Sequence, residues 1–330
     1  MFGPSDASLL NLDESRRDDI PQVSVAEKQG LIASFSFEEV CEAVFQMEHN
    51  KAPSPDGLPA EFYQVSWETI KVDLLAMFVD FHNAKLPLHS LNFGIITLLP
   101  KKTEATKIQQ YRPICLLNVS FKIFTKVACN RLSRIANNII RPTQSAFMPN
   151  LYILEGVVIL HETLHELQRN KANGVILKID FEKAYDKVNW KFLQQTLGMK
   201  GFPDKWCKWI ETFVSRGSVG IKVNDDIGNF FQTKKGLRQG DPLSPLLFNL
   251  VADMLAIMIA RAKQAGQVSG LIPHLIDDGI SIMQYADYTI IFLGHSFEKA
   301  KNMKLVLTTF EQLSGLKINY HKSERTPRTP

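Results

Sequence analysis

Two apolar runs of strand-like composition, each delivering an aspartate to its end, constrain this chain more than any other feature. The first is Val175-Ile176-Leu177-Lys178-Ile179-Asp180. The second, roughly a hundred residues downstream, is Gln284-Tyr285-Ala286-Asp287-Tyr288-Thr289-Ile290-Ile291-Phe292-Leu293. Branched and aromatic side chains at this density fit strands that pack against a core. Taken alone, a strand-end aspartate is more often a turn or helix-cap residue. Two of them, on runs that can pair, supply the oxygen donors that a pair of hard divalent ions requires. Asp180 and Asp287 are therefore expected side by side on adjacent strands of one antiparallel sheet, close enough to share two ions about 4 Å apart.

Charge is distributed unevenly. Residues 1–40 carry eight acidic and three basic side chains, so the remainder of a chain of net charge +4 carries +9. Between Lys101 and Arg141 nine basic residues face a single acid, Glu104. So one-sided a stretch is expected to meet a polyanion. Met1 to Ile20 holds five acidic residues and no long apolar stretch, unlike a signal peptide, and no apolar run is expected to reach the roughly 18 residues of a membrane span. The expected location is the nucleus or cytoplasm, with no membrane partner. The four cysteines are widely spaced, with no CxxC pair, and read as reduced core thiols. No GxGxxG or GxxxxGK[ST] motif is present, which leaves dinucleotide and P-loop readings without their signature.

The element pattern mixes helices with hairpins rather than alternating βαβ units, which argues for an α+β fold. Ser36 with Glu39 three residues on reads as a capping box that opens a helix. A helix is expected over 60–84, and a strand over 93–102 ends in Lys101 and Lys102, with 111–117 as its return partner. A basic amphipathic helix follows over 120–140, then helices over 154–170 and 190–215, and a hairpin of 219–223 with 229–234. Gly236-Leu237-Arg238-Gln239-Gly240-Asp241-Pro242-Leu243 is a turn-rich loop, and the next helix is expected to have Ser244 as its cap and Pro245 in its first turn. A last helix is expected near 297–313, and residues 325–330 read as an unstructured end.

In this order and at these spacings, several motifs carry a resemblance over about residues 22–324: Lys51-Ala52-Pro53-Ser54-Pro55-Asp56-Gly57, Tyr111-Arg112-Pro113-Ile114, Gln144-Ser145-Ala146-Phe147, Asp180-Phe181-Glu182-Lys183-Ala184-Tyr185-Asp186, the loop from Gly236 to Pro245, and Tyr285-Ala286-Asp287. The chain resembles the reverse transcriptase region of plant LINE-type (non-LTR) retrotransposons. The resemblance implies a right-hand polymerase with fingers and an N-terminal extension over 36–170, an antiparallel palm sheet packed on helices over 171–313, an acidic leader over 1–35, and over 314–330 the end of the palm, the start of a thumb and a disordered tail. It implies an RNA-directed DNA polymerase acting on an RNA template, a DNA primer and deoxynucleoside triphosphates, with Mg²⁺ as cofactor and Mn²⁺ as an alternative. By motif, Asp180 and Asp287 would be metal ligands, with backbone groups of Ile179 and Phe181 beside the same ions. Lys101 and Arg112 would clamp the triphosphate, and Tyr185 would screen the sugar. Gln239 and Gly240 would line the nucleotide and template pocket, and Lys322 would protonate pyrophosphate.

Four positions depart from the family pattern. Tyr288 stands where a second aspartate is usual, Ser54 replaces a glycine, Asn150-Leu151 replaces a Gly-Arg pair, and Asp278 replaces a glycine. The expectation is a truncated and partly degenerate copy, lacking most of the thumb and impaired in catalysis. A non-catalytic nucleic-acid-binding remnant is the alternative. An intron-maturase-type splicing cofactor is a third reading, weakened by the LINE-like block at 180–190 and by the lack of an appended maturase domain.

Overall fold

Serine side chains open the first two helices, α1 (Val25–Ile32) and α2 (Phe37–Phe45), each through a reciprocal capping box: Ser24 with Glu27 and Ser36 with Glu39. The structure, a computed structural model, describes residues 10–13, 15–170, 173–224, 226–276, 279–319 and 323–327. The helix expected over 60–84 is two, α3 (Ala60–Val65) and α4 (Trp67–His82), because Ser66 at ψ 9° turns the chain between them. Strands β1 (Phe93–Pro100) and β2 (Tyr111–Leu117) pair antiparallel as expected, from Gly94 with Leu117 to Pro100 with Tyr111. Ser54, one of the departures from the family pattern, is buried and accepts the N–H of Val119, the first residue of α5 (Val119–Ile139), at 3.0 Å. It satisfies one of that helix's open donors.

Helix α6 (Ile153–Arg169) leads to β3 (Gly174–Asp180), and a short turn of helix, α7 (Ala184–Lys187), follows it. Helices α8 (Trp190–Met199) and α9 (Asp204–Val214) replace the single helix expected over 190–215; Gly201 at φ +74° and Pro203 just before α9 divide them. Strand β4 (Ser218–Val223) pairs with the two short strands β5 (Asp226–Ile227) and β6 (Phe231–Gln232), and also lies parallel to β1. That parallel pairing joins segments more than a hundred residues apart. The central helix α10 (Ser244–Gln264) begins one residue before the expected start: Ser244 is its first residue rather than its cap, and the Asp241 carboxylate instead accepts the Leu243 N–H at 3.0 Å.

Strands β7 (Ile282–Tyr285) and β8 (Tyr288–Gly294) form the hairpin that carries Asp287, and α11 (Phe297–Ser314) follows. The last strand, β9 (Glu324–Pro327), pairs with β3, so part of the stretch expected to be unstructured is backbone-paired. The outer edge of β3 offers unsatisfied N–H and C=O groups for this addition. The second sheet is thus β7-β8-β3-β9, antiparallel throughout. Helix α10 is buried on nearly every face. By length and apolar content it could cross a membrane, which corrects the expectation that no run reaches that length, yet 78% of its apolar window is covered by the rest of the protein. It is a core helix.

The basic stretch divides into two populations, and one of them overturns its expected use. Arg131 is 4% exposed and spends all five of its N–H groups inside the protein: two on Glu39, and three on the carbonyls of Leu31, Ala33 and Ser34. Arg134 lies 3.9 Å from Glu42, and Arg141 donates to the Asp19 carbonyl. Arg131 and Arg141 hold the N-terminal segment instead of facing a polyanion, whereas Arg134 stays exposed. Arg261 of α10 holds the same segment through Asp19 at 2.6 Å, and Ile20 and Val23 are buried beneath it. Asp19 and Glu39, two acids of the first 40 residues, are thus paired within the chain. Lys101, Lys102, Lys107 and Arg112 remain on the surface around the β1–β2 connection. The four cysteines are free thiols, and burial pushes Cys115, Cys129 and Cys207 up to about 11.

Candidate active site

In the β3–β8 ladder Asp180 pairs with Tyr288 and Ile179 with Thr289, while Tyr285 and Tyr288 close the β7–β8 hairpin around Ala286 and Asp287. A two-residue connection leaves Asp287 beside the end of β3, as the strand-end pattern anticipates. Both aspartates line one cleft of about 800 Å³. Lys101 at the end of β1, Arg112 of β2, Phe181, Tyr185, Gln239 and Gly240 line it as well. Ile179 does not. Its side chain is fully buried. Lys322 and Asp278 lie outside the described residues. Asn319, three residues before Lys322, reaches the cleft and donates its N–H to the Asp180 carbonyl at 2.8 Å.

Packing fixes each wall. The Tyr185 ring stacks on Phe248 of α10 at 4.9 Å between centroids and 18° between planes. Burial, with the charge of Asp287 adding to it, pushes the Tyr185 phenol up to about 12, so it is neutral at physiological pH. The Tyr185 carbonyl accepts the Leu237 N–H at 2.7 Å, which ties the 236–241 loop to the turn after β3. Gly236 and Gly240 make that loop possible, since both have positive φ. A Cβ on Gly236 would lie 2.6 Å from the Asp186 carbonyl, and one on Gly240 would lie 2.8 Å from the Cys115 carbonyl. Gly240 thus permits close approach to β2. The charged residues of this loop serve it internally: Arg238 is buried against Asn92 and Phe121.

Lys101 and Arg112 are exposed at the cleft mouth. Lys101 donates from Nζ to the Gln109 carbonyl at 3.2 Å, which directs it along the cleft edge. Asp186 is a titratable group that sequence reasoning passed over. It is buried in the cleft floor, and burial pushes its carboxyl up to about 6. Tyr288 lies just after the hairpin turn. It is the first residue of β8, directly across from Asp180 and on the same face, 51% exposed, with Lys178 Nζ 5.9 Å from its ring centre. An aromatic residue is favourable at a strand position of this kind.

The donor chemistry fits a hard divalent cation. Two carboxylates and the backbone at Phe181 offer oxygen, and water or phosphate oxygens could complete the coordination. Among the described residues no group of three or more His, Cys, Asp or Glu side chains forms a self-sufficient metal cluster. A metal held there would take part of its coordination from its ligand.

This juxtaposition of strand-borne carboxylates, flanking cations and a glycine-rich loop defines a polymerase-type site on an antiparallel palm sheet. A family profile for reverse transcriptase (RNA-dependent DNA polymerase) matches residues 99–329, and the chain belongs to that family. The transposon TX1 uncharacterized 149 kDa protein of Xenopus laevis is 28% identical over 93% of this chain and 23% of its own length. The Pol polyprotein from the type-2 retrotransposable element R2DM of Drosophila melanogaster is 24% identical over 83% of the chain and 24% of its own length. The chain spans about a quarter of the length of those relatives. Reverse transcriptases work with divalent metal ions. Among solved structures, apo telomerase from Candida tropicalis truncated from its C-terminal domain superposes with a TM-score of 0.53 at 14% identity, over 84% of this chain and 59% of that one, a likeness of fold.

Proposed function

We propose that this chain is the RNA-directed DNA polymerase domain of a plant LINE-type element, using Mg²⁺ to add deoxynucleotides to a primer 3′-hydroxyl, and that Tyr288 leaves it impaired. The observation that carries this reading is the placement of Asp180 and Asp287 at one end of a paired sheet, in the cleft that Lys101 and Arg112 flank. Asp180 and Asp287 would hold the metal, with the Phe181 backbone beside them. Two divalent ions bound there would supply activation of the attacking hydroxyl and neutralisation of the leaving pyrophosphate. Lys101 and Arg112 bind the triphosphate by charge-assisted hydrogen bonds, Arg112 in a fork matched to phosphate oxygens. The Tyr185 ring, fixed on Phe248, stands where a ribose 2′-hydroxyl would need room. Gln239 and Gly240 line the nucleotide pocket, Lys322 is the candidate acid for pyrophosphate, and the nucleus or cytoplasm is the proposed location.

Tyr288 also favours a second reading, a protein that binds RNA–DNA hybrid without extending it. Extension of a DNA primer on an RNA template separates the two. The Tyr288→Asp version should extend in Mg²⁺, and Asp180→Asn in that background should be silent. If neither extends and both bind hybrid in a salt-sensitive way, the binding-remnant reading stands instead.

The exposed cations give an independent expectation. Charge reversal at Lys101 and Arg112 should weaken deoxynucleoside triphosphate binding roughly tenfold or more per site, with hybrid affinity changed much less. Fluorescent-nucleotide titration beside hybrid binding measures both. Equal losses in the two assays would contradict a triphosphate clamp at these positions.

A further inference from the structure

We propose that Gln144 is a positioning residue for Asp287, a side chain that fixes the turn bearing the carboxylate without touching substrate; this rests on the polymerase reading above. Gln144 lies on the segment between α5 and α6, far in sequence from the hairpin, and does not line the cleft. It is fully buried. Its Oε1 accepts the Ala286 N–H at 3.0 Å and the Ala146 N–H at 3.2 Å, and its Nε2 donates to the Ala286 carbonyl at 3.3 Å. One amide thus holds both backbone polar groups of the residue just before Asp287.

The surrounding backbone reinforces the grip. Gln284 donates its N–H to the Thr143 carbonyl at 2.7 Å, and Ser145 donates to the Gln284 carbonyl at 3.2 Å, so the Gln144 segment runs along the outer edge of β7 as a parallel bridge. The Gln284 side chain is fixed in turn by the Ala252 carbonyl of α10 at 3.1 Å.

The turn needs such support. Ala286 has φ +54°, the left-handed region, which a residue with a Cβ rarely adopts. A non-glycine residue keeps such a conformation only where its surroundings over-determine it. Ala286 and Asp287 are the whole connection between β7 and β8, so any relaxation at Ala286 moves the Asp287 carboxylate. Asp287 is one of the two carboxylates assigned to the metal, so such movement acts directly on metal affinity. Groups that orient metal ligands from behind typically change affinity by about 10–100-fold when lost.

The test is Mn²⁺ titration of the full chain by electron paramagnetic resonance, with amide hydrogen exchange over residues 284–288 and the unfolding midpoint measured beside it. Gln144→Ala should weaken Mn²⁺ binding roughly tenfold or more and speed exchange at Ala286. RNA–DNA hybrid affinity should stay near the parent value. Gln144→Glu keeps an acceptor for the Ala286 N–H and loses the donor to its carbonyl, so it should fall between the two. If Gln144→Ala fails to fold, Gln144→Asn keeps the amide but withdraws it by one methylene, and the same loss is expected. Parent-like Mn²⁺ affinity in a folded variant would overturn the proposal. If the parent itself binds no Mn²⁺, the metal-site reading fails, and exchange decides the clamp alone: an unchanged rate at Ala286 would overturn it too.

Discussion

Replacing Tyr288 by aspartate should raise Mg²⁺-dependent extension of an RNA-templated primer by roughly a hundredfold or more, equivalent to about 2.7 kcal/mol in the barrier. The reason lies in the ladder register. Tyr288 is directly opposite Asp180 on the same face of the sheet, a relation that puts side-chain Cβ atoms about 4.5–5.5 Å apart. An aspartate there would make a third carboxylate beside Asp180 and Asp287. The phenol in its place brings no carboxylate. Two divalent ions bring four positive charges into a small cleft, and Tyr288 adds nothing to the carboxylates of Asp180, Glu182, Asp186, Asp241 and Asp287 that line it. The substitution has a counterpart in stability. Without metal, two aspartates directly across a ladder repel, so Tyr288→Asp should melt below the parent, and added Mn²⁺ should restore its midpoint. The fold should tolerate the change, because Ile291 and Phe292 keep their buried places in β8. Robust extension by the unaltered chain would contradict this account. Silence from both versions with hybrid binding kept would favour the binding remnant, and silence with hybrid binding lost would move the defect to Asn150 and Leu151.

The largest effect on stability should come from Arg131→Ala, which is expected to cost about 3–5 kcal/mol. Arg131 is packed over the Phe35 ring at 4.3 Å and satisfies Glu39 with two bonds at 2.9 and 2.7 Å. Alanine would leave Glu39 partly buried without its partner, and the carbonyls of Leu31, Ala33 and Ser34 without their donor. The pH dependence has a definite sign. Burial raises the Glu39 pKa, but the hydrogen bonds and charge of Arg131 outweigh it, and the net shift is below the ordinary value of 4.5. A carboxyl with a lowered folded pKa contributes stability that is present above the unfolded pKa and is lost as pH falls through the folded one. The parent should therefore lose stability on acidification below about pH 4.5, and Arg131→Ala should lack that component. Urea unfolding at pH 7 and pH 3.5 measures both. A change under about 1 kcal/mol at pH 7 would mean that the pair is dispensable.

What could be read in the sequence was whatever leaves a local trace. The Ser36 and Glu39 capping box, the β1–β2 pair and the two aspartate-tipped runs are visible as spacings of a few residues, and each is found where the spacing puts it. The break between α8 and α9 also left a trace in Gly201 and Pro203, which a longer helical period concealed. Arg131 could not be read correctly from its neighbours in sequence. On a helix with so many cations it resembles a phosphate contact, and only the return of residues 31–39 against α5 buries it. Gln144 was visible as part of a motif, but its role arises from contact with a turn 142 residues away, and no local pattern encodes that. The parallel pairing of β1 with β4 was hidden for the same reason.

The central claim is that Asp180 and Asp287 form a divalent-metal site for nucleotidyl transfer. Mn²⁺ titration of the chain, saturated with RNA–DNA hybrid and deoxynucleoside triphosphate, tests it most directly. The account predicts saturable binding that falls at least tenfold in Asp180→Asn and in Asp287→Asn, with hybrid affinity retained. Mn²⁺ binding of equal strength in the parent and both variants would place the metal elsewhere and contradict the account.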